Sequence, residues 1–222
     1  MRRQRRSRGL QVRRLGWLAF AFLSVIYPIH ICQAQLVTYP FDIFTNNSPY
    51  ADDPGWDLYV DVWDGTGVVN FTFYNNSSLQ SSVARIYFDD GSLLGIDEIT
   101  NSKGYTAFNT TASPGVLPGG EDLVPPFVAN REFTIGSQNP PPWKGVNDGD
   151  ILNEWVTIRF NLINGGDLYG VIDELESGTL RIGLHVIDLP EGYSESAILI
   201  PEPATIMLLG LGALVLLRKR RP

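Results

Sequence analysis

The stretch Asp57-Leu58-Tyr59-Val60-Asp61-Val62-Trp63 alternates with a period of two, setting Leu58, Val60 and Val62 on one face. Asp64-Gly65-Thr66-Gly67 follows, a run of hairpin-turn residues, and then Val68 to Tyr74 resumes with β-branched and aromatic side chains. Two apolar-faced strands joined by a tight turn predict an antiparallel hairpin with one buried side. The same texture spreads outward in both directions. Leu36 to Phe44 reads as a strand before it, and Val83 to Phe88 as one after it, running into the turn Asp89-Asp90-Gly91. Leu93 to Ile99 and Tyr105 to Asn109 are weaker strands, and Phe127 to Ile135 is a further one. Glu154 to Leu162 alternates cleanly. Leu180, Ile182, Leu184 and Val186 share a face in the strand from Thr179, and Glu195 to Ile200 is the last. Thr110 to Pro126 is an irregular Gly- and Pro-rich region, and Gln138 to Asp150 is a Pro-rich loop.

One helix interrupts this pattern. Leu168, Val171, Ile172 and Leu175 recur at helical spacing, with Asp167 as N-cap and Gly178 just past the C-terminus. Short strands, turns at intervals and one short helix predict an all-β body over residues 35–200. The expected architecture is a two-layer β-sandwich, of which the jelly roll is one form. No internal repeat is visible at solenoid periods.

The two ends differ from the body. Residues 1–34 begin with seven arginines and no acid, continue with an apolar run from Leu15 to Ile26, and finish at Cys32-Gln33-Ala34. That order predicts a secretory signal peptide cut between Ala34 and Gln35 by signal peptidase, after which no cysteine remains. Residues 201–222 open with Pro201-Glu202-Pro203, a stiff and extended segment because proline restricts both itself and the residue before it. Residues 204–217 carry no charge and predict a membrane helix, and Arg218, Lys219, Arg220 and Arg221 follow as a basic stop held on the cytoplasmic side. Fourteen helical residues reach only about 21 Å across a hydrocarbon core of about 30 Å, short for a permanent anchor and suited to a transient one.

The order and spacing of Pro201, Glu202, Pro203, the apolar run and the basic end resemble the PEP-CTERM sorting signal. The resemblance implies a bacterial envelope protein, tethered by its tail, processed near the triplet by an exosortase, and then placed at the cell surface or secreted alongside exopolysaccharide. Glu202 would be a recognition element, not a catalytic group. The body is similar to the small β-rich domains that travel with such tails, in Asn75–Gly91, Ala112–Gly120, Gly145–Leu162 and Leu180–Ser196. That similarity implies fold and compartment and assigns no activity.

Charge narrows the function classes. The chain has a net charge of −7, but most cations sit in the two end segments. Residues 35–200 hold six cations against 23 acids, a net of −17. Such a body lacks the clustered Lys and Arg that a nucleic-acid partner requires. His185 is the only histidine of the body, so a nucleophilic triad would have to use it with Ser194 or Ser196, and no nucleophile-elbow motif supports one. Asp57, Asp61 and Glu154 are candidates for a glycosidase carboxylate pair, with solvated surface acids as the simpler reading. Asp89, Asp90, Asp148 and Asp150 stand beside turns and are candidate ligands for a structural calcium; no other cofactor is expected. Trp56, Trp63, Trp143 and Trp155 could stack on sugar rings, with Trp143 in the Pro-rich loop the best placed. The sequence therefore predicts a non-enzymatic envelope or matrix protein, with a carbohydrate-binding module delivered by the same route as the alternative.

Overall fold

The computed structural model describes residues 36–65, 67–89, 93–135 and 144–201. Among them run eleven strands, all paired antiparallel: β1 Leu36–Ile43, β2 Leu58–Gly65, β3 Val68–Asn75, β4 Ser82–Asp89, β5 Leu94–Asn101, β6 Phe108–Thr110, β7 Arg131–Ile135, β8 Val146–Asn147, β9 Val156–Leu162, β10 Arg181–Ile187 and β11 Glu195–Leu199. One α-helix, α1 Leu168–Ser177, lies between β9 and β10. The expected all-β body with a single short helix is what the residues build. The helix ends where predicted: Asp167 Oδ1 accepts the Gly170 N–H at 2.9 Å, and Gly178 closes the C-terminus with φ of 73°. A left-handed residue there favours glycine because no Cβ opposes it.

The strands form one ladder in the order β5-β9-β3-β2-β1-β11-β10-β4-β7-β6, with β8 added beside β4. β1 makes the bend in this ladder. Its residues Leu36 to Pro40 pair with β2, and Phe41 to Ile43 pair with β11. A strand that changes partners along its length turns the sheet through a corner, and the ladder rolls until its two halves face each other. At the far side the roll nearly closes through a side chain. Asn101 at the end of β5 accepts the Phe108 N–H at 2.7 Å and donates to the Phe108 carbonyl at 3.0 Å, imitating one rung between β5 and β6. The sheet is thus nearly barrel-like.

The inner faces meet in one aromatic core. Phe71, Phe73 and Phe160 from the first half stand edge-on to Phe88 of the second, with ring centroids 5.0 to 6.1 Å apart, and Phe133 packs 5.9 Å from Phe88 and 6.0 Å from Phe160. Edge-to-face rings within about 7 Å gain from the quadrupole as well as from burial. Val60, Val62, Val156, Ile158, Ile182, Leu184 and Val186 fill the rest, and all are buried.

The outer faces differ. Over the second half lies the irregular region, with its first turn of 3-10 helix at Gly120–Asp122. Leu117 and Phe127 make a second small core with Tyr87 there. Gly183 on β10 permits it, because a Cβ at that position would lie 2.5 Å from Leu117 Cδ2. Glu132 accepts the Gly115 N–H at 2.6 Å, and Arg181 donates to the carbonyls of Pro125 and Pro126, both at 2.6 Å. This packing explains two departures from the sequence expectation. The strand expected from Phe127 starts only at Arg131, because Phe127 is drawn inward over Tyr87. The strand expected at Tyr105 to Asn109 is found at Phe108–Thr110, because Tyr105 and Thr106 turn back to hydrogen-bond Ser102. The outer face of the first half carries no such cover among the described residues.

Candidate functional site

β11 delivers the chain to its tail. It lies between β1 and β10, in the interior of the ladder, and so joins the two halves of the body. Ser196 and Ala197 are fully buried and Leu199 is 7% exposed. The last backbone bond before the tail runs from the Ile200 N–H to the Pro40 carbonyl at 3.1 Å. Pro201 comes next. Glu202, Pro203, the apolar run, Arg218, Lys219, Arg220 and Arg221 lie outside the described residues, as do Ala34 and Gln35 at the front. Among the described residues no helix is long and apolar enough to cross a membrane.

Three of the predicted calcium ligands hold hydrogen bonds within the body. Asp89 pairs with Arg181 and accepts the Val128 N–H at 3.2 Å, so its carboxylate fastens the irregular region to the sheet. Asp148 accepts the Ser81 N–H at 3.1 Å, and Asp150 accepts from the Asn153 side chain at 3.0 Å. Asp90 lies outside the described residues. Among the described residues no three His, Cys, Asp or Glu side chains gather as a metal site.

The glycosidase candidates are similarly engaged. Asp57 accepts from Asn76 Nδ2 at 2.6 Å, Asp61 accepts the Thr38 hydroxyl at 2.5 Å, and Glu154 accepts the Asn147 N–H at 2.9 Å. His185 lies on β10 directly across from Ser196 of β11, so the fold brings these two candidates together. Ser196 is fully buried, and among the described residues neither Ser196 Oγ nor His185 Nδ1 has a hydrogen-bond partner.

Burial holds the His185 imidazole below its ordinary pKa, the facing Arg85 guanidinium adds to this, and a backbone contact with Glu195 opposes it. A depressed value in the folded state means that the unfolded chain takes up the proton first. The stabilisation from a neutral His185 is complete above about pH 6.5 and is lost as the pH falls below that toward the folded value, at about 1.4 kcal/mol per unit of depression. Guanidinium midpoints measured from pH 8 to pH 5 should fall with acid, and His185→Gln should flatten that part of the profile.

The tryptophans divide. Trp56 packs against the core and donates Nε1–H to the Tyr50 carbonyl at 2.8 Å, which makes it a cap. Trp143 lies outside the described residues. Trp63 is on the open outer face of the first half, and donates to Thr72 Oγ1 at 3.2 Å. Strand register aligns Thr38, Asp61, Thr72, Thr157 and Thr100 in one row across five strands there. Tyr59 and Tyr74 stack beside the row with centroids 5.0 Å apart. Burial, with Asp61 nearby, raises both phenol pKa values, so the hydroxyls stay protonated. Sequence reading missed this face because the row exists only once register is set; Tyr59 and Tyr74 stand fifteen residues apart in the chain. A separate shallow cleft of about 350 Å³ is lined by Phe44, Asn46, Asn47, Pro118 and Asp122.

A rolled, acidic β-body is followed within two residues by a proline-rich triplet, an apolar run and a basic end, the order of a sorting signal. Residues 199–221 match the family model described as the PEP-CTERM protein-sorting motif, so the chain carries that sorting motif near its C-terminus. The motif implies export to the bacterial cell envelope or surface, with exosortase as the processing enzyme. No curated protein and no solved structure matches the chain.

Proposed function

We propose that this is a non-enzymatic protein of the envelope or extracellular matrix, held briefly in the membrane by residues 204–217, cut near Pro201-Glu202-Pro203 by exosortase, and then placed at the cell surface or among exopolysaccharide. Its working part is the body of residues 35–200, a sandwich whose two layers are joined through β1. The carrying observation is the sorting motif at 199–221, which begins on the last residue of the strand that completes the body. The hydrogen-bonded acids, and His185 Nδ1 and Ser196 Oγ with no partner among the described residues, fit a role without catalysis, and the reading needs no cofactor. Intact mass of the native protein from its host's membranes and medium tests it. A released form ending near Pro201–Pro203 supports the reading. A protein that keeps Arg218 to Pro222 in every fraction overturns it.

A carbohydrate-binding role on the same route is the second reading. What favours it is the outer face of the first half, uncovered among the described residues, where aromatic rings stand beside a row of hydroxyls. Rings offer stacking to the apolar side of a sugar, and the hydroxyls and Asp61 offer hydrogen bonds. The test is binding to an array of neutral glycans by the wild type and by Trp63→Ala, Tyr74→Ala and Trp143→Ala. Loss in the first two places the ligand on the sheet, loss in the third places it on the Pro-rich loop, and no binding by wild type rejects the reading.

A further inference from the structure

The sorting signal has no spacer. The matched motif begins at Leu199, which is still a buried residue of β11, and Ile200 is still hydrogen-bonded to β1. An extended chain advances at most about 3.6 Å per residue, so Pro203 lies within about 11 Å of the last bonded residue. That is about the diameter of a single α-helix. An enzyme that grips several extended residues around the triplet therefore meets the folded body, or must draw Leu199 and Ile200 out of it.

Drawing them out is opposed by the whole setting of β11. Phe41, Asp42 and Ile43 pair with it on one side, and Gly183 to Val186 on the other. At its start, the buried Glu195 carboxylate accepts from Thr45 and Asn47. Because β11 is interior, its release also separates the two halves of the body. Cleavage of a transiently opened segment follows the population of the open form when opening and closing are fast.

We propose that docking of β11 shields the sorting signal: exosortase acts on the triplet while the end of β11 is free of β1, and the closed body resists cutting. Processing then reports on folding, and a body that closes before it is cut keeps its tail longer. The proposal rests on the sorting reading above.

The test lets the full chain fold uncut in host cells depleted of exosortase, then induces the enzyme and follows loss of the tail by mass. The key variant inserts (Gly-Gly-Ser)₃ between Ile200 and Pro201, which adds an r.m.s. reach of about 15–18 Å without touching β11. A control carries the same nine residues after Gly104, in an exposed turn with φ of 86°. The spacer variant should lose its tail at least about tenfold faster than wild type, and the control should match wild type. Equal rates for wild type and spacer variant overturn the proposal. So does equal acceleration by the control, which would trace the effect to general loosening. If no chain is cut at all, the sorting reading itself fails and the proposal goes with it.

Discussion

Phe88→Ala should lower the unfolding free energy by about 4 kcal/mol, the largest loss expected from a single side chain in this body. Phe88 has no solvent exposure and sits where the two halves of the roll meet. Its ring contacts Phe71, Phe73 and Phe160 from the first half and Phe133 from its own neighbouring strand. Removing it takes away the transfer energy of a phenyl group and leaves a void walled by four other rings. Those rings are anchored on three strands, β3, β7 and β9, that cannot all move inward together, so the void stays open and its cost adds to the lost burial. For a body of this size the melting temperature should fall by about 8–16 °C. Phe88→Leu fills much of the void and should cost well under half as much. Tyr59→Ala serves as the contrast: Tyr59 is half-buried on the open outer face, touches none of these rings, and should shift the midpoint far less. Guanidinium titrations followed by tryptophan fluorescence measure all three. A loss at Phe88 no larger than at Tyr59 would mean that the two halves are not held together through this ring.

The hairpin of β2 and β3 was legible because its two signals agree. Alternation fixes which face of Asp57 to Trp63 is buried, and Asp64 to Gly67 fixes how the chain reverses. The helix was legible for the same reason, with Asp167 and Gly178 marking the ends of one apolar face. What sequence could not give was the partnership of β1. Nothing in Leu36 to Ile43 announces that its first five residues pair with β2 and its last three with β11, yet that change of partner makes the roll. The seam at Asn101 is equally hidden, since a side chain that stands in for backbone reads as an ordinary polar residue. The surroundings of the candidate site residues were hidden for a similar reason. The acids at Asp89, Asp148 and Asp150 look like ligands in isolation, and only the fold shows that each already holds a nearby N–H or side chain. The tail needed no fold, because its information is carried by order along the chain.

Glu195→Ala should cost about 3 kcal/mol, and its effect should reach beyond stability. Glu195 has no solvent exposure. Its carboxylate accepts the Thr45 hydroxyl at 2.5 Å and the Asn47 N–H at 2.9 Å, and Thr45 Oγ1 in turn accepts the Ser196 N–H at 2.7 Å. One side chain thus stitches the segment after β1 to the start of β11. Hydrogen bonds to a charged group are each worth about 1.5–3 kcal/mol, and removing the acceptor strands donors that water reaches poorly. Against this stands the cost of keeping a carboxylate from water with no cation bonded to it among the described residues, which offsets part of the gain. Glu195→Gln decides between these terms. It keeps one oxygen for Asn47 but turns an N–H₂ toward Thr45, so it should lose about 1–2 kcal/mol if the bonds dominate, and should be neutral or stabilising if the charge is the burden. The same substitution separates stability from shielding. If β11 protects the sorting signal by staying docked, Glu195→Ala should speed tail removal in the native chain. It should add little once the nine-residue spacer has already freed the triplet. Equal acceleration in both backgrounds would mean that Glu195 holds the body together without governing access to its tail.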